Sequence, residues 1–164
     1  AMFASLKGGP LTDLTVERWD KTMAVNVKGA WLCIKAVVPH MRARGGGVIV
    51  NQSSISAFGM AYMLDYTSSK AAVIGMTKSL ASELGKDNIR VNCIAPGGTA
   101  TEGYAQILGG NMAIAEERAK ATQLIAEQMT PDAMVGTLLH LVSEGARFVT
   151  GQTLVVDGGR YFLG

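Results

Sequence analysis

Three short strand-like runs constrain the fold: the apolar Val48-Ile49-Val50, then Ile89 to Ile94 and Thr153 to Val156. Each is too brief for a helix, and each is separated from the next by enough chain to hold one. A strand buried on both faces reads as a continuous apolar run rather than an alternation. Strands joined through helices lie parallel, with right-handed crossovers and helices on both faces of the sheet. An α/β architecture is therefore predicted.

The intervening stretches carry helical periodicity. From Val16 to about Arg42, Trp19, Met23, Val27, Ala30, Trp31, Ile34 and Val38 recur at helix-like intervals, with Thr15 as the N-cap. Asn26 and Gly29 break the rhythm, which predicts two helical pieces with an irregular joint, and Pro39 is expected to kink or shorten the second. A serine- and glycine-rich loop follows the first strand, from Asn51 to about Asp65. Tyr66 to Leu84 then reads as a helix closed at Gly85. Thr99 to Gly110 is expected to be polar loop and Met112 to Met129 helical, with Thr130-Pro131 starting a further helix to Val142. Trp19, Trp31, Met23, Met41 and Met76 are expected in the core or at helix interfaces, Cys33 packed on a helix and Cys93 buried.

Composition excludes several classes. With 48% hydrophobic and 17% charged residues the chain is not a disordered tail. A formal charge of +2 gives no reason to expect a nucleic-acid partner. No apolar run approaches the roughly eighteen residues of a membrane span. His40, His140 and the two cysteines have no metal spacing, so no metal is expected. A soluble, cytoplasmic protein fits these features.

The chemistry-bearing feature is Tyr66-Thr67-Ser68-Ser69-Lys70 at the start of a predicted helix. Residues four apart share a helix face. A phenol with a reference pKa of about 10 is a poor acid or base at neutral pH. A neighbouring ammonium and a helix N-terminus both favour phenolate, which would suit Tyr66 to proton exchange with an alcohol or carbonyl oxygen. On spacing alone a surface pair without a role is the better reading, because such pairs occur by chance. Ser53 and Ser54 follow a strand, at the sheet edge where ligands bind in open α/β folds, and a hydroxyl there can steady developing charge. Asn26 at the helix joint can hold a backbone kink or a water. Pro96-Gly97-Gly98-Thr99-Ala100-Thr101 also follows a strand, its glycines allowing close approach to a flat or phosphorylated ligand. Each of these residues alone also reads as a cap or turn former.

Taken in order, Asn26-Val27-Lys28-Gly29, Val48 to Ser54, Tyr66 to Lys70, Ile89 to Gly97, Phe148 to Gln152 and Val156-Asp157-Gly158-Gly159 resemble the short-chain dehydrogenase/reductase family across essentially the whole chain. The resemblance implies the C-terminal portion of a Rossmann-type doubly wound parallel sheet, with residues 1–164 an incomplete domain. It implies hydride transfer between a nicotinamide cofactor and a secondary alcohol or ketone. Tyr66 resembles the acid/base, Lys70 the residue that lowers its pKa and binds the ribose, Ser54 the substrate-polarising serine, and Asn26 the support of a water-linked relay to the lysine. Pro96, Gly97, Thr99 and Thr101 would lie beside the nicotinamide, and Thr101 to Gln128 resembles the mobile substrate-binding segment. The cofactor implied is NAD or NADP, with NAD preferred, and the assembly a homotetramer or dimer.

Two features depart from the family. Ser54 stands twelve positions before Tyr66 and Ser53 thirteen; the motif favours Ser54 and the usual spacing Ser53. The glycine-rich phosphate-binding turn with a strand in front of it is absent from this sequence. A segment of a longer enzyme is the expected explanation, ahead of a truncated non-catalytic subunit or a split enzyme. The isolated segment is expected to fold and bind dinucleotide poorly.

Overall fold

Gly47–Gln52 (β1), Ile89–Pro96 (β2) and Thr153–Val156 (β3) form one parallel sheet in the order β1-β2-β3, in a computed structural model that describes residues 8–162. Expectations for residues 1–7, Leu163 and Gly164 lie outside that range. The register pairs Ile49 with Val91 and Cys93 with Thr153, so all three strands run the same way and finish at one edge. Around them lie Val16–Met23 (α1), Gly29–Ala43 (α2), Leu64–Leu84 (α3), Glu102–Ile107 (α4), Ala113–Thr122 (α5) and Val135–Val142 (α6).

Alternation along β2 sorts the two faces of the sheet. Ile89 and Val91 join Ile49 beneath Ile34 and Val38 of α2 and Ala81 and Leu84 of α3. Arg90 points the other way, its guanidinium donating to the carbonyls of Leu141, Ser143 and Val149 around the C-terminal end of α6. A cation there meets carbonyls that the helix leaves unbonded. The predicted α/β class, with a parallel sheet flanked by helices, is the class the chain adopts.

The irregular joint around Asn26 is a π-helical turn, Ala24–Lys28, between α1 and α2. Pro39 neither shortens nor ends α2. Pro39 and Lys35 both lie on the exposed side, where the Lys35 carbonyl that loses its amide partner is open to solvent. The stretch expected to be helical to Met129 stops at Thr122. Beyond it the Ile125 N–H donates to the Gly158 carbonyl, and the Ala100 N–H to that of Met129, so tertiary pairing overrides helix propensity. Conversely, the expected polar loop contains α4, whose first turn is capped by the Thr101 hydroxyl accepting from the Tyr104 N–H. Thr130 provides no side-chain cap, and Pro131–Met134 form a 3₁₀ turn ahead of α6. Trp31 and Cys33, expected against other elements, are exposed on α2. Among the described residues no helix is long and apolar enough to cross a membrane.

Candidate active site

All three strands deliver their C-terminal ends to one cleft of about 350 Å3. Gln52 to Ser56 come from the exit of β1, Pro96 to Thr99 from that of β2, and Arg160 from beyond β3. Tyr66, in the first turns of α3, faces the same space. A ligand site at this edge follows from parallel strands, because the crossovers leave the chain ends free there.

The two adjacent serines do different work. The Ser53 N–H extends the sheet by donating to the Ile94 carbonyl at 2.8 Å, and its hydroxyl donates to the Lys70 carbonyl at 2.8 Å. Lys70 returns the contact: its ammonium donates to the Gln52 carbonyl at 3.0 Å. These reciprocal bonds lock the end of β1 to α3. Ser54 borders the cleft beside Ser53 but gives its hydroxyl to the Tyr66 phenol and to Ser56, whose hydroxyl lies 3.2 Å away.

Tyr66 is buried, and burial pushes its phenol up to about 12 against the lowering effect of the Ser54 hydrogen bond. In the chain's own geometry burial outweighs the lowering influence, so the phenol stands above its ordinary value. Lys70 stands behind the phenol, its Nζ 5.6 Å from the ring centroid, and is not part of the cleft wall. Burial lowers the Lys70 pKa from the ordinary lysine value. Asn26 reaches α3 through Ser69: its amide donates to the Ser69 hydroxyl at 3.0 Å, which donates to the Tyr66 carbonyl at 2.8 Å.

The turn after β2 is shaped by close contacts. A Cβ at Gly97 would stand 2.9 Å from the Asp157 Cβ, and one at Gly98 3.1 Å from the Tyr104 hydroxyl oxygen. Glycine is thus required at Gly97 by packing against the turn after β3. Pro96, Gly97, Thr99 and Thr101 line the cleft together. Gln128 ties the far end of the 101–128 segment back to this turn, its amide donating to the Gly98 carbonyl at 2.7 Å and to that of Met129 at 3.0 Å.

The sequence reading missed one buried pair beside Tyr66. Asp65, fully buried, accepts from Arg18 Nε at 2.9 Å, Arg18 Nη2 at 3.0 Å and the Thr22 hydroxyl at 3.0 Å. Burial pushes its carboxyl up, but the hydrogen bonds from Arg18 and Thr22 outweigh it and hold the pKa below the usual carboxylate value. The partners lie 47 positions apart, beyond any local pattern. Asn92 was missed too: fully buried, it donates to the Val149 carbonyl and accepts from the Gln152 N–H, seating the strand that follows.

A serine hydroxyl on a buried tyrosine, with a lysine behind and a glycine turn opposite, is a proton-handling arrangement beside a flat-ligand surface. The family profile described as enoyl-(acyl carrier protein) reductase matches residues 1–160. The chain belongs to the short-chain dehydrogenase/reductase family. It is 45% identical over 152 residues to dehydrogenase/reductase SDR family member 4 of Pongo abelii, covering 92% of this chain and 54% of that protein. It thus spans about half the length of the curated relatives it matches. A solved 4-hydroxyisoleucine dehydrogenase complexed with NADH superposes with a TM-score of 0.82 at 32% identity, covering 94% of this chain and 64% of the other. L-Sorbose reductase from Gluconobacter frateurii, complexed with NADPH and L-sorbose, gives 0.86 at 32% identity, covering 96% and 64%.

Proposed function

We propose that the chain supplies the proton-transfer and substrate-facing part of an NAD(P)-linked oxidoreductase acting on a secondary alcohol or ketone. The observation that carries this reading is the meeting of Ser54 and Tyr66 at the cleft, with Lys70 directly behind. In the reductive direction the Tyr66 O–H donates to the substrate oxygen as negative charge grows there, and the Ser54 hydroxyl donates a second hydrogen bond to the same oxygen. The high pKa keeps the phenol protonated at neutral pH, the form a donor needs. The Lys70 charge steadies the phenolate that remains. Asn26 is a positioning residue, holding the Tyr66 turn through Ser69.

The glycine turn fits a nicotinamide: Gly97 and Gly98 present backbone to the cleft, and Pro96, Thr99 and Thr101 flank them. When bound, the nicotinamide supplies or accepts the hydride. Thr101 to Gln128 forms the substrate-selecting wall. Trp31, Leu32 and Val37 are exposed along α2, which supports a homo-oligomer, tetramer or dimer, to be read by light scattering.

The test is turnover of the chain supplied with a segment carrying the glycine-rich phosphate-binding turn, with NADH and NADPH in parallel across secondary alcohols and ketones, beside Tyr66→Phe. We expect turnover, with NADH preferred, and its loss in the variant with dinucleotide binding retained. Absence of turnover in the unmodified protein, or equal turnover in Tyr66→Phe, would overturn the reading and favour a non-catalytic subunit.

A further inference from the structure

Arg160 carries the single formal charge among the residues that line the cleft. Its side chain is solvent-exposed at the rim, and three contacts fix the residue's position there. Asp157, buried just past β3, accepts from the backbone N–H groups of Gly159 at 3.0 Å, Arg160 at 3.1 Å and Tyr161 at 2.8 Å. The Tyr161 ring lies 6.1 Å from that of Phe58, on the short turn that follows Ser54. The Arg160 guanidinium in turn rests 5.7 Å from the centre of the Tyr161 ring. The backbone of Arg160 is thus pinned by a buried carboxylate, and its side chain leans on a ring docked to the serine-bearing turn.

Among the described residues the guanidinium has no ion-pair partner, and no carboxylate lines the cleft. The other polar groups on the wall are hydroxyls and amides. A planar fork of N–H donors matches a carboxylate in two parallel hydrogen bonds, and stacking on an aromatic ring reduces the side-chain freedom lost on binding. Resting on the oxidoreductase reading above, we infer that Arg160 is a specificity-determining residue that selects substrates carrying a carboxylate as well as the reacting hydroxyl or carbonyl. Ser54 and Tyr66 hold the reacting oxygen at one end, and Arg160 holds the anion at the other.

The experiment uses the chain supplied with the glycine-rich phosphate-binding segment, with NADH or NADPH, and pairs short hydroxy acids and keto acids with their primary amides. Calorimetric binding of each pair to the dinucleotide-loaded protein is read beside turnover, with Arg160→Gln and Arg160→Lys as variants. We expect the acids to be favoured in kcat/KM and in binding. Arg160→Gln should remove about 10- to 100-fold of that preference, while amides and dinucleotide bind as before. Arg160→Lys should retain part of it. Acids and amides handled equally by the unmodified protein would overturn the inference while leaving the oxidoreductase reading intact. Weakened dinucleotide binding in Arg160→Gln would overturn it too, assigning the charge to the cofactor's phosphates. If no pair turns over, the oxidoreductase reading fails; acid-selective binding lost in Arg160→Gln still upholds the anion site, and its absence sinks it.

Discussion

The turn from β1 into α3 and the segment from Thr101 to Thr130 both face the cleft, yet they are held in opposite ways. Around Ser53 and Lys70 the side chains are buried, and strand and helix exchange hydrogen bonds in both directions. Asp65 and Arg18 anchor the same helix start to α1. From Thr101 to Thr130 most residues are exposed or half-buried, Leu124 at 77% and Ile125 at 66%. That segment is tied back through Gln128, the Thr99–Met129 bridge and a few backbone bonds. Groups that move protons need fixed distances, which rigid elements supply, whereas a wall that admits a substrate can be drawn from the less stable part of a fold.

Substitutions in the first region should act on turnover or on stability, and those in the second on substrate affinity. The largest expected effect is that of Tyr66→Phe, which should lower kcat by about 100- to 10,000-fold with dinucleotide affinity unchanged, measured by steady-state kinetics and fluorescence titration. Arg18→Ala comes next. It leaves Asp65 buried without its cation, and should destabilise the fold by about 3 kcal/mol in denaturant unfolding, the low end of the range because Arg18 is partly exposed. A variant as stable as the parent would show that the α1 anchor is dispensable.

Ser53→Ala and Ser54→Ala sharpen the contrast within a single dipeptide. The first should cost about 1 kcal/mol of stability through the lost Lys70 contact and spare most of the turnover; the second should do the reverse. A kcat loss confined to Ser53→Ala would reverse their assignment. The smallest effect is expected for Gln128→Ala, a several-fold rise in KM with kcat nearly unchanged.

Titration separates the regions as well. The Tyr66 phenol has its pKa raised from 10.0 to about 12, so its burial in neutral form favours the folded chain fully below 10 and that contribution fades as the pH climbs towards 12. Asp65, lowered from 3.8, contributes above that value and loses its contribution as the pH falls through the folded-state pKa. Carbonyl reduction should weaken and alcohol oxidation strengthen as the pH rises through the phenol's titration, which pH–rate profiles in both directions would read.

Much of the fold was legible because the strand-like runs are short and the helices between them periodic. Tyr66 and Lys70 stood out for a similar reason, since four residues of helix set their proximity. What was not legible depended on distance or on adjacency. Arg18 and Asp65 meet only after two helices pack. Ser53 and Ser54 are chemically identical neighbours, and only the pleat, which turns successive side chains to opposite sides, divides their tasks. The helix expected to Met129 failed because the exits of β2 and β3 offered its backbone better partners. Arg160 stands in a short stretch whose aromatic neighbours, Tyr161 and Phe162, draw the eye and not the charge.

The bonds of Ser53 bear on how such a site tolerates change in length. Its amide is bonded to β2 and its hydroxyl to α3, so the helix takes its position from the strand ladder and not from the chain that connects them. The stretch between Ser56 and Met63, though tied by contacts of its own such as the Gly9 N–H donating to the Tyr62 carbonyl, does not have to set that position. One residue added or removed there shifts the count between serine and tyrosine while the hydroxyl and phenol keep their separation. The separation of hydroxyl and phenol is thus set by three-dimensional registry and not by numerical spacing.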